Sequence, residues 1–449
     1  MERFFKFAER GTDVRTEVLA GIATFMTMAY IIFVNPSILF GGPTNPMWAA
    51  GVVATCLAAG VMTIAMGVFA NWPLALAAGM GLNAVVAFGL VAGMKLPYST
   101  AMGVIVVEGL LVTILVLTKV REQVMDAIPN NLKRGIGVGI GIFIAFIGTV
   151  DGGLVVKSEG TPISFGNWAT PGALLTIIGL VITAALLVKK VKGALLWGIL
   201  STTVVAIVFE LLGFKALTPG ALAGAAKVIS IPTGASFQTI GHADIMAVIT
   251  NIPLWGMVFA IMMTDFFDTM GTVVSIGGQA KMLTKEGKVP GLNRILLVDS
   301  LAAVVGGFFG VSSNTTYIES AAGVGEGGRT GLTSVVTGLL FFVALFFTPI
   351  IGLVPAQATA PALILVGFMM FQTAADIDFS NWEEAIPAFL TILLIPLTYS
   401  IARGVGAGFV SYALLALYKG KAKNVSWLVW VVSLLFIIDM FGLWSKIFG

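Results

Sequence analysis

The sequence predicts an all-α polytopic membrane protein. Its fourteen transmembrane segments form a 7+7 inverted repeat, and short extended stretches interrupt spans three and ten. Three observations predict this. Of 449 residues, 58% are hydrophobic and 10% charged, whereas soluble domains carry about 25% charged residues. Apolar runs of spanning or near-spanning length recur along the chain. The third and tenth runs are broken, and they occupy corresponding places in the two halves.

The first seven runs fall at about 18–39, 48–70, 72–92, 99–118, 134–150, 172–188 and 193–213. A polar connection at 214–250, rich in Gly and Pro, follows on the extracytoplasmic side. The second seven fall at about 252–276, 294–311, 313–325, 330–354, 359–375, 384–401 and 404–419. Local echoes recur in the same order. Thr100…Glu108-Gly-Leu-Leu answers Thr330…Thr337-Gly-Leu-Leu, Pro171…Thr176-Ile answers Pro387…Thr391-Ile, and Gly198-Ile-Leu-Ser answers Gly408-Phe-Val-Ser. Seven is odd, so a duplication of this kind places the halves in opposite orientation, as in many secondary transporters.

Basic residues set the orientation. They gather at Arg3, Lys6, Arg10 and Arg15, at Lys119, Arg121, Lys133 and Arg134, and at Lys189, Lys190 and Lys192. They recur at Lys281, Lys285, Lys288 and Arg294, and at Lys419, Lys421 and Lys423. With a cytoplasmic N-terminus all of these face the cytoplasm, in a plasma membrane. The acidic stretch 376–384 does not contribute. The first ten residues alternate charge with aromatics and read as a surface helix rather than a signal peptide. The run 426–446 fits either an interfacial helix or a fifteenth span.

Single Cys56 excludes an internal disulfide and thiolate clusters. Single His242 lies in the polar connection, so proton chemistry falls to carboxylates. Neither a metal-ligand cluster nor a nucleophile–base pair is present, and an enzyme, a metal and a cofactor are not expected. No nucleic-acid partner is expected either. The run Gly323-Val-Gly-Glu-Gly-Gly-Arg329 lacks the Lys-Ser/Thr of a phosphate loop and follows no βαβ strand. It reads as a cytoplasmic turn.

The chemistry gathers in two stretches. Thr264-Asp265-Phe-Phe-Asp268-Thr-Met-Gly-Thr272 sets two carboxylates in an apolar helix. Ser312-Ser-Asn-Thr-Thr-Tyr-Ile-Glu319-Ser is too β-branched and hydroxyl-rich for an ordinary span. An ionisable group at membrane depth costs roughly 3 kcal/mol or more and by default marks a transport pathway. Extended backbone there must be buried in protein or line a cavity. Asn71-Trp-Pro73-Leu-Ala-Leu-Ala-Ala-Gly79-Met-Gly81-Leu-Asn83 breaks span three in the same way. Paired interrupted spans are the best sequence pointer to a transporter's site.

If both stretches are extended they can pair, each leading into a half-helix at about Leu82 and Ile318. Half-helix N-termini suit a heterocycle with acceptors, and equally a small oxyanion. Asp268 and Glu319 repel a dianion and suit a neutral ligand rich in N–H donors, such as the amide-plus-amine edge of guanine. Hypoxanthine and adenine remain open. Desolvation favours the neutral form of a carboxyl, so Asp265, Asp268 and Glu319 are the candidates to take up a proton with substrate. Sodium is the alternative ion. Asp265 and Asp268, three apart on a helix, lie on roughly one face. Phe25, Phe266, Phe267 and Tyr317 are candidates to stack on a flat ring. Thr24 and Thr316 offer hydroxyls, and Asn83 is either a ligand or a helix cap. Glu108 stands at mid-span without an evident partner.

These residues carry a resemblance. Gly11-Thr-Asp-Val-Arg-Thr-Glu17 through Tyr30, Asn35-Pro36, Gly79-Met-Gly-Leu-Asn83 and Asp265-Phe-Phe-Asp268-Thr-Met-Gly-Thr272 share in it. So do Thr315-Thr-Tyr-Ile-Glu-Ser-Ala-Ala-Gly323 and Gly328-Arg-Thr-Gly-Leu332. Together they resemble the AzgA-like hypoxanthine/guanine/adenine permeases of the nucleobase–cation symporter and nucleobase–ascorbate transporter group. The resemblance implies a core domain (1–118 and 251–354), a gate domain (119–213 and 355–419) and a C-terminal hydrophobic helix in 420–449. It also implies proton-coupled purine uptake and a homodimer. By motif position Asp268 and Glu319 match the family's substrate and coupling carboxylates. Asp265, Gly81 and Asn83 match further functional positions. Asn314 departs from the expected apolar residue and adds polarity beside the site. A uracil or xanthine permease and an anion transporter on the same fold are the rivals.

Overall fold

The computed structural model describes residues 2–118, 129–217, 221–224, 227–284 and 288–441, with the backbone alone at Arg3, Phe267, Ala402, Asn424 and Asp439. Lys119, Arg121, Lys285, the end of the 426–446 run and the Phe267 ring therefore lie outside the described residues.

After two short helical turns, the first span is a pair of helices, α1 (Val14–Met28) and α2 (Ile31–Phe40). Asp13 caps α1, accepting from the Thr16 backbone at 3.0 Å, as short polar side chains do at an N-cap. The helix ends where Thr27 turns its hydroxyl back on the carbonyls of Ala23 (3.1 Å) and Thr24 (2.8 Å). Such back-bonding bends helices. Then come α3 (Trp48–Ala65), strand β1 (Leu76–Ala78), α4 (Met80–Ala84, continued by a wider helical stretch Val85–Gly93) and α5 (Tyr98–Thr118). Helices α6 (Asn130–Asp151), α7 (Pro171–Val188) and α8 (Ala194–Leu211) complete the first half. Strands β2 (Val155–Val156) and β3 (Ser164–Phe165) form a small surface ladder between α6 and α7.

The second half follows the same order. It runs α9 (Leu254–Gln279), α10 (Leu292–Phe309), β4 (Asn314–Thr316), α11 (Ser320–Gly325) and α12 (Gly331–Ala344). It ends with α13 (Ala356–Phe371), α14 (Trp382–Thr398) and α15 (Ile401–Tyr418). Among the described residues ten helices are long and apolar enough to cross a membrane. The remaining predicted runs are the two broken ones, α14 and α15. Helix α16 (Trp427–Met440) follows. Its 14 residues reach only about 21 Å. It packs on α15, where Ser433 donates to the Phe409 carbonyl at 3.1 Å.

Strands β1 and β4 pair antiparallel, with Leu76 opposite Thr316, Ala77 opposite Thr315 and Ala78 opposite Asn314. Flanking bonds run from Gly79 N–H to the Ser313 carbonyl and from Tyr317 N–H to the Ala75 carbonyl, both 2.9 Å. A two-stranded ladder has two open edges, which lipid cannot satisfy. Side chains close them. The Thr63 hydroxyl both accepts from Leu76 N–H and donates to its carbonyl at 2.9 Å. Ser320 accepts from Ala75 N–H at 3.0 Å, and on the other edge Asp299 accepts from Thr316 N–H at 3.0 Å. Close approach needs Gly79, where an added Cβ would lie 2.9 Å from the Thr315 methyl. Gly310, at φ +74°, ends α10 in the left-handed conformation and turns the chain into β4.

Glu17 ties the two halves together. Its buried carboxylate accepts from Arg329 N–H (2.8 Å), Thr330 N–H (3.1 Å), Thr333 N–H (3.2 Å) and the Thr333 hydroxyl (2.5 Å). The Thr330 and Thr333 N–H groups are among the free ones that open α12. One turn on, Thr337 donates to the Gly21 carbonyl at 2.9 Å. Helix α12 packs on α1 and α3, and α5 packs on α9 and α10. Helix α6 lies against α13 and α14, and α7 against α8 and α13.

Candidate functional site

The ladder is where the two halves meet, and the ionisable side chains surround it. Half-helices α4 and α11 begin at Met80 and Ser320, each two residues from its expected start. Glu319 sits between β4 and α11 and is half-buried. The Tyr30 hydroxyl, at the α1–α2 break, donates to Glu319 Oε1 at 2.7 Å. Thr27 donates to the Glu319 carbonyl at 3.3 Å. The bend in the first span thus aims two hydroxyls at one residue of the tenth.

Asp268 is exposed although it lies midway along α9, and it stands within electrostatic reach of Glu319 and Asp265. Asp265 is buried. Sequence spacing puts the two on roughly one face, but they serve different sides of that face. Asp265 looks into the protein, where Ser313 donates to its Oδ2 at 2.9 Å. Thr269, one turn on, looks the same way, with its hydroxyl 2.7 Å from both Asp299 Oδ2 and Thr315 Oγ1. Ser313 and Thr315 alternate onto one face of the extended chain, as a period of two requires.

Asn83 is a residue inside α4, not its cap. The N-cap is Gly79, and the buried Asn83 amide donates to Asn35 Oδ1 at 3.0 Å, leaving its own Oδ1 without a partner. Asn35 in turn donates to Thr55 (2.9 Å) and to the Val311 carbonyl (3.3 Å). Gly81 faces α6, and an added Cβ would meet the Ile140 Cγ2 at 2.9 Å. Thr24 is buried against Gly323, where an added Cβ would collide with the Thr24 hydroxyl oxygen. Tyr317 is buried, and its hydroxyl closes onto the Ala78 carbonyl, bracing the ladder. Thr316 is buried with its hydroxyl unpartnered. The Phe25 ring packs edge-on against Phe341 at 5.2 Å, and Phe266 lies in the core. Asn314 is buried at the end of β4, its amide nitrogen unpartnered.

The structure adds residues that the sequence reading did not select. Tyr30, Asn35 and Asp299 bond to Glu319, Asn83 and Thr316 of the predicted set, and Thr269 bridges Asp299 and Thr315. Asp299 had a usable signal, being a carboxylate in the apolar run Leu-Leu-Val-Asp299-Ser-Leu-Ala-Ala. Glu108 is buried within electrostatic reach of Asp265 and Asp299, and neither of its carboxyl oxygens has a hydrogen-bond partner. Among the described residues no group of three or more His, Cys, Asp and Glu side chains is arranged to hold a metal ion.

A helical membrane protein whose two broken spans pair beside carboxylates has the architecture of a secondary transporter. The comparisons agree. Residues 15–406 match the family described as Permease family (Xan_ur_permease). The chain is 39% identical over 440 residues to the adenine permease AdeQ of Escherichia coli, covering 98% of this chain and 96% of that one. It is 39% identical over 449 residues to the guanine/hypoxanthine permease PbuO of Bacillus subtilis, covering 97% and 99%. The transmembrane domain of a cyanobacterial bicarbonate transporter, BicA, superposes with a TM-score of 0.60 at 18% identity, covering 88% of this chain and 97% of that one. At that identity the likeness shows a shared fold. The chain belongs to the Permease family, and the resemblance read from its motifs is borne out.

Proposed function

We propose that this protein imports purine nucleobases (guanine, hypoxanthine or adenine) together with protons, by alternating movement of the core domain against the gate domain. The observation that carries the reading is Glu319. It is a half-buried carboxylate at the mouth of a half-helix, held by Tyr30 and standing near the exposed Asp268. A carboxylate so placed accepts paired N–H donors from a planar base, while two such groups repel a sulfate-like dianion. The printed names of the relatives, an adenine and a guanine/hypoxanthine permease, support the substrate class. In this reading Glu319 and Asp268 hold the base, and Asp265 belongs to the proton path. Gly81 lies where the core side meets Ile140 of the gate. The N-terminus is cytoplasmic and the working unit is a homodimer.

The test is uptake of labelled bases into proteoliposomes under an imposed inward proton gradient. The reading requires purine accumulation that collapses with a protonophore. Accumulation that follows sodium instead would replace the coupling ion, and uptake of uracil alone would replace the substrate.

A further inference from the structure

Four aromatic rings meet beyond the outer end of the ladder. Tyr399, at the end of α14, has its ring centre 6.1 Å from Phe88, 5.2 Å from Phe143 and 5.5 Å from Phe146, edge-on to each. Phe88 and Phe143 close the group at 6.0 Å, again edge-on. This is an arrangement that aromatic pairs favour. Phe88 belongs to the stretch Val85–Gly93 that continues α4, whereas Phe143 and Phe146 belong to α6. The group therefore joins the core domain, through one ring, to the gate domain, through three.

The backbone under Tyr399 is unusual. Its φ of +53° and ψ of 28° are left-handed, at a place after a helix that usually holds Gly. Ser400, the next residue, already caps α15 by accepting from Arg403 N–H at 3.3 Å. The ring thus rides on a one-residue corner between two helices. Glycine would relieve the backbone there but would supply no ring. Strained residues of this kind cluster at clamps and switch regions.

The two broken spans are packed unequally. Towards the rings, α4 lies on α6 and the stretch 85–93 lies on α15, both gate helices. Ile140, one turn before Phe143 on α6, is buried there against Gly81. Past the other end of the ladder, α11 packs on α1 and α9 of the core. On that side Glu319 is half-buried and Asp268 is exposed. A surface ion pair, Lys192 with Glu326, crosses the domains there, and water screens such pairs. The ring side is the closed one.

We propose that Tyr399 and Phe88 form the extracytoplasmic gate of the transport path. Their rings must part before a base can reach the ladder from outside, and the structure shows the protein open towards the cytoplasm. Phe143 and Phe146 hold the Tyr399 ring in its closed place. The gate rests on the core-and-gate reading above and on the orientation given with it, in which span three and α6 both run outward.

Ile140→Cys places a thiol just inside the rings, and the natural Cys56 is buried. Right-side-out membrane vesicles are treated with a membrane-impermeant maleimide, and the labelling rate is compared with Tyr399 intact, with Tyr399→Ala and with Tyr399→Phe. The gate predicts labelling roughly threefold to tenfold faster in Tyr399→Ala, the population shift that loss of an edge-to-face contact allows. Tyr399→Phe keeps the ring and should label at the original rate. Where Tyr399→Ala does not fold, Phe88→Ala removes the core's half of the gate and gives the same readout. An unchanged rate in either folded alanine variant overturns the gate, as does a rise seen only in inside-out vesicles. Labelling needs no substrate, so the two readings fail separately: a protein that takes up no purine overturns the proposed function, while the labelling rates still decide the gate.

Discussion

The Tyr30 hydroxyl donates to Glu319 Oε1 at 2.7 Å, joining the break in the first span to the break in the tenth. That bond orients a half-buried carboxylate, the group that the proposed function assigns to the base. Tyr30→Phe deletes the donor while keeping the ring. A hydrogen bond to a charged group contributes about 1.5–3 kcal/mol, so purine affinity should weaken by roughly tenfold or more. Isothermal titration of the purified protein measures it, and unchanged affinity would mean that Tyr30 does not orient the acceptor.

Glu319→Gln is the sterner change. The amide keeps one acceptor but presents an N–H₂ where a donor-rich edge should dock. Affinity for purines should fall by roughly a hundredfold, the upper range for losing a charged acceptor, while the protein still inserts and elutes as a single species. Purine binding at wild-type strength would remove Glu319 from the site.

Gly81 faces Ile140 with no room for a larger side chain, the added Cβ lying 2.9 Å from Ile140 Cγ2. Gly81→Val should jam α4 against α6 and lower uptake by roughly tenfold, in line with the cost of overpacking. Adding Ile140→Ala should restore much of it. Failure of the second change to rescue the first would show that the contact does not limit movement.

Glu17→Ala strips the acceptor from three backbone N–H groups and the Thr333 hydroxyl at the start of α12. Buried donors left unpaired cost about 1–3 kcal/mol, so thermal unfolding in detergent should move to lower temperature. Glu17→Gln, which keeps one acceptor oxygen, should lose less. Equal losses would show that charge, not hydrogen bonding, is the useful property.

Much of this arrangement was legible in the sequence. Carboxylates in apolar runs pointed to Asp265, Asp268 and Glu319, and Pro73 with Gly79 and the polar, β-branched stretch around Thr315 and Thr316 pointed to the paired strands. What the sequence could not supply was partnership between distant elements. Tyr30 lies 289 positions from Glu319, and Thr269 lies 46 positions from Thr315. No local spacing encodes such contacts. Asp299 carries the same signal, a carboxylate in an apolar run, but nothing in its own span names its partners Thr269 and Thr316. Asn83 reads from the sequence as ligand or cap because both uses place an Asn at a helix start; the start of α4 at Met80, with Gly79 at the N-cap, decides against the cap. Tyr317 read as a stacking ring, but its hydroxyl braces the ladder.

The most direct measurement of the central claim is thermal stabilisation of the detergent-purified protein by guanine, hypoxanthine, adenine, xanthine, uracil and sulfate at two pH values. A ligand that binds the folded state raises the melting temperature by mass action. The account predicts a rise with at least one of guanine, hypoxanthine and adenine that changes with pH, and none with sulfate. No response to any purine, with a rise from uracil or sulfate, would contradict it.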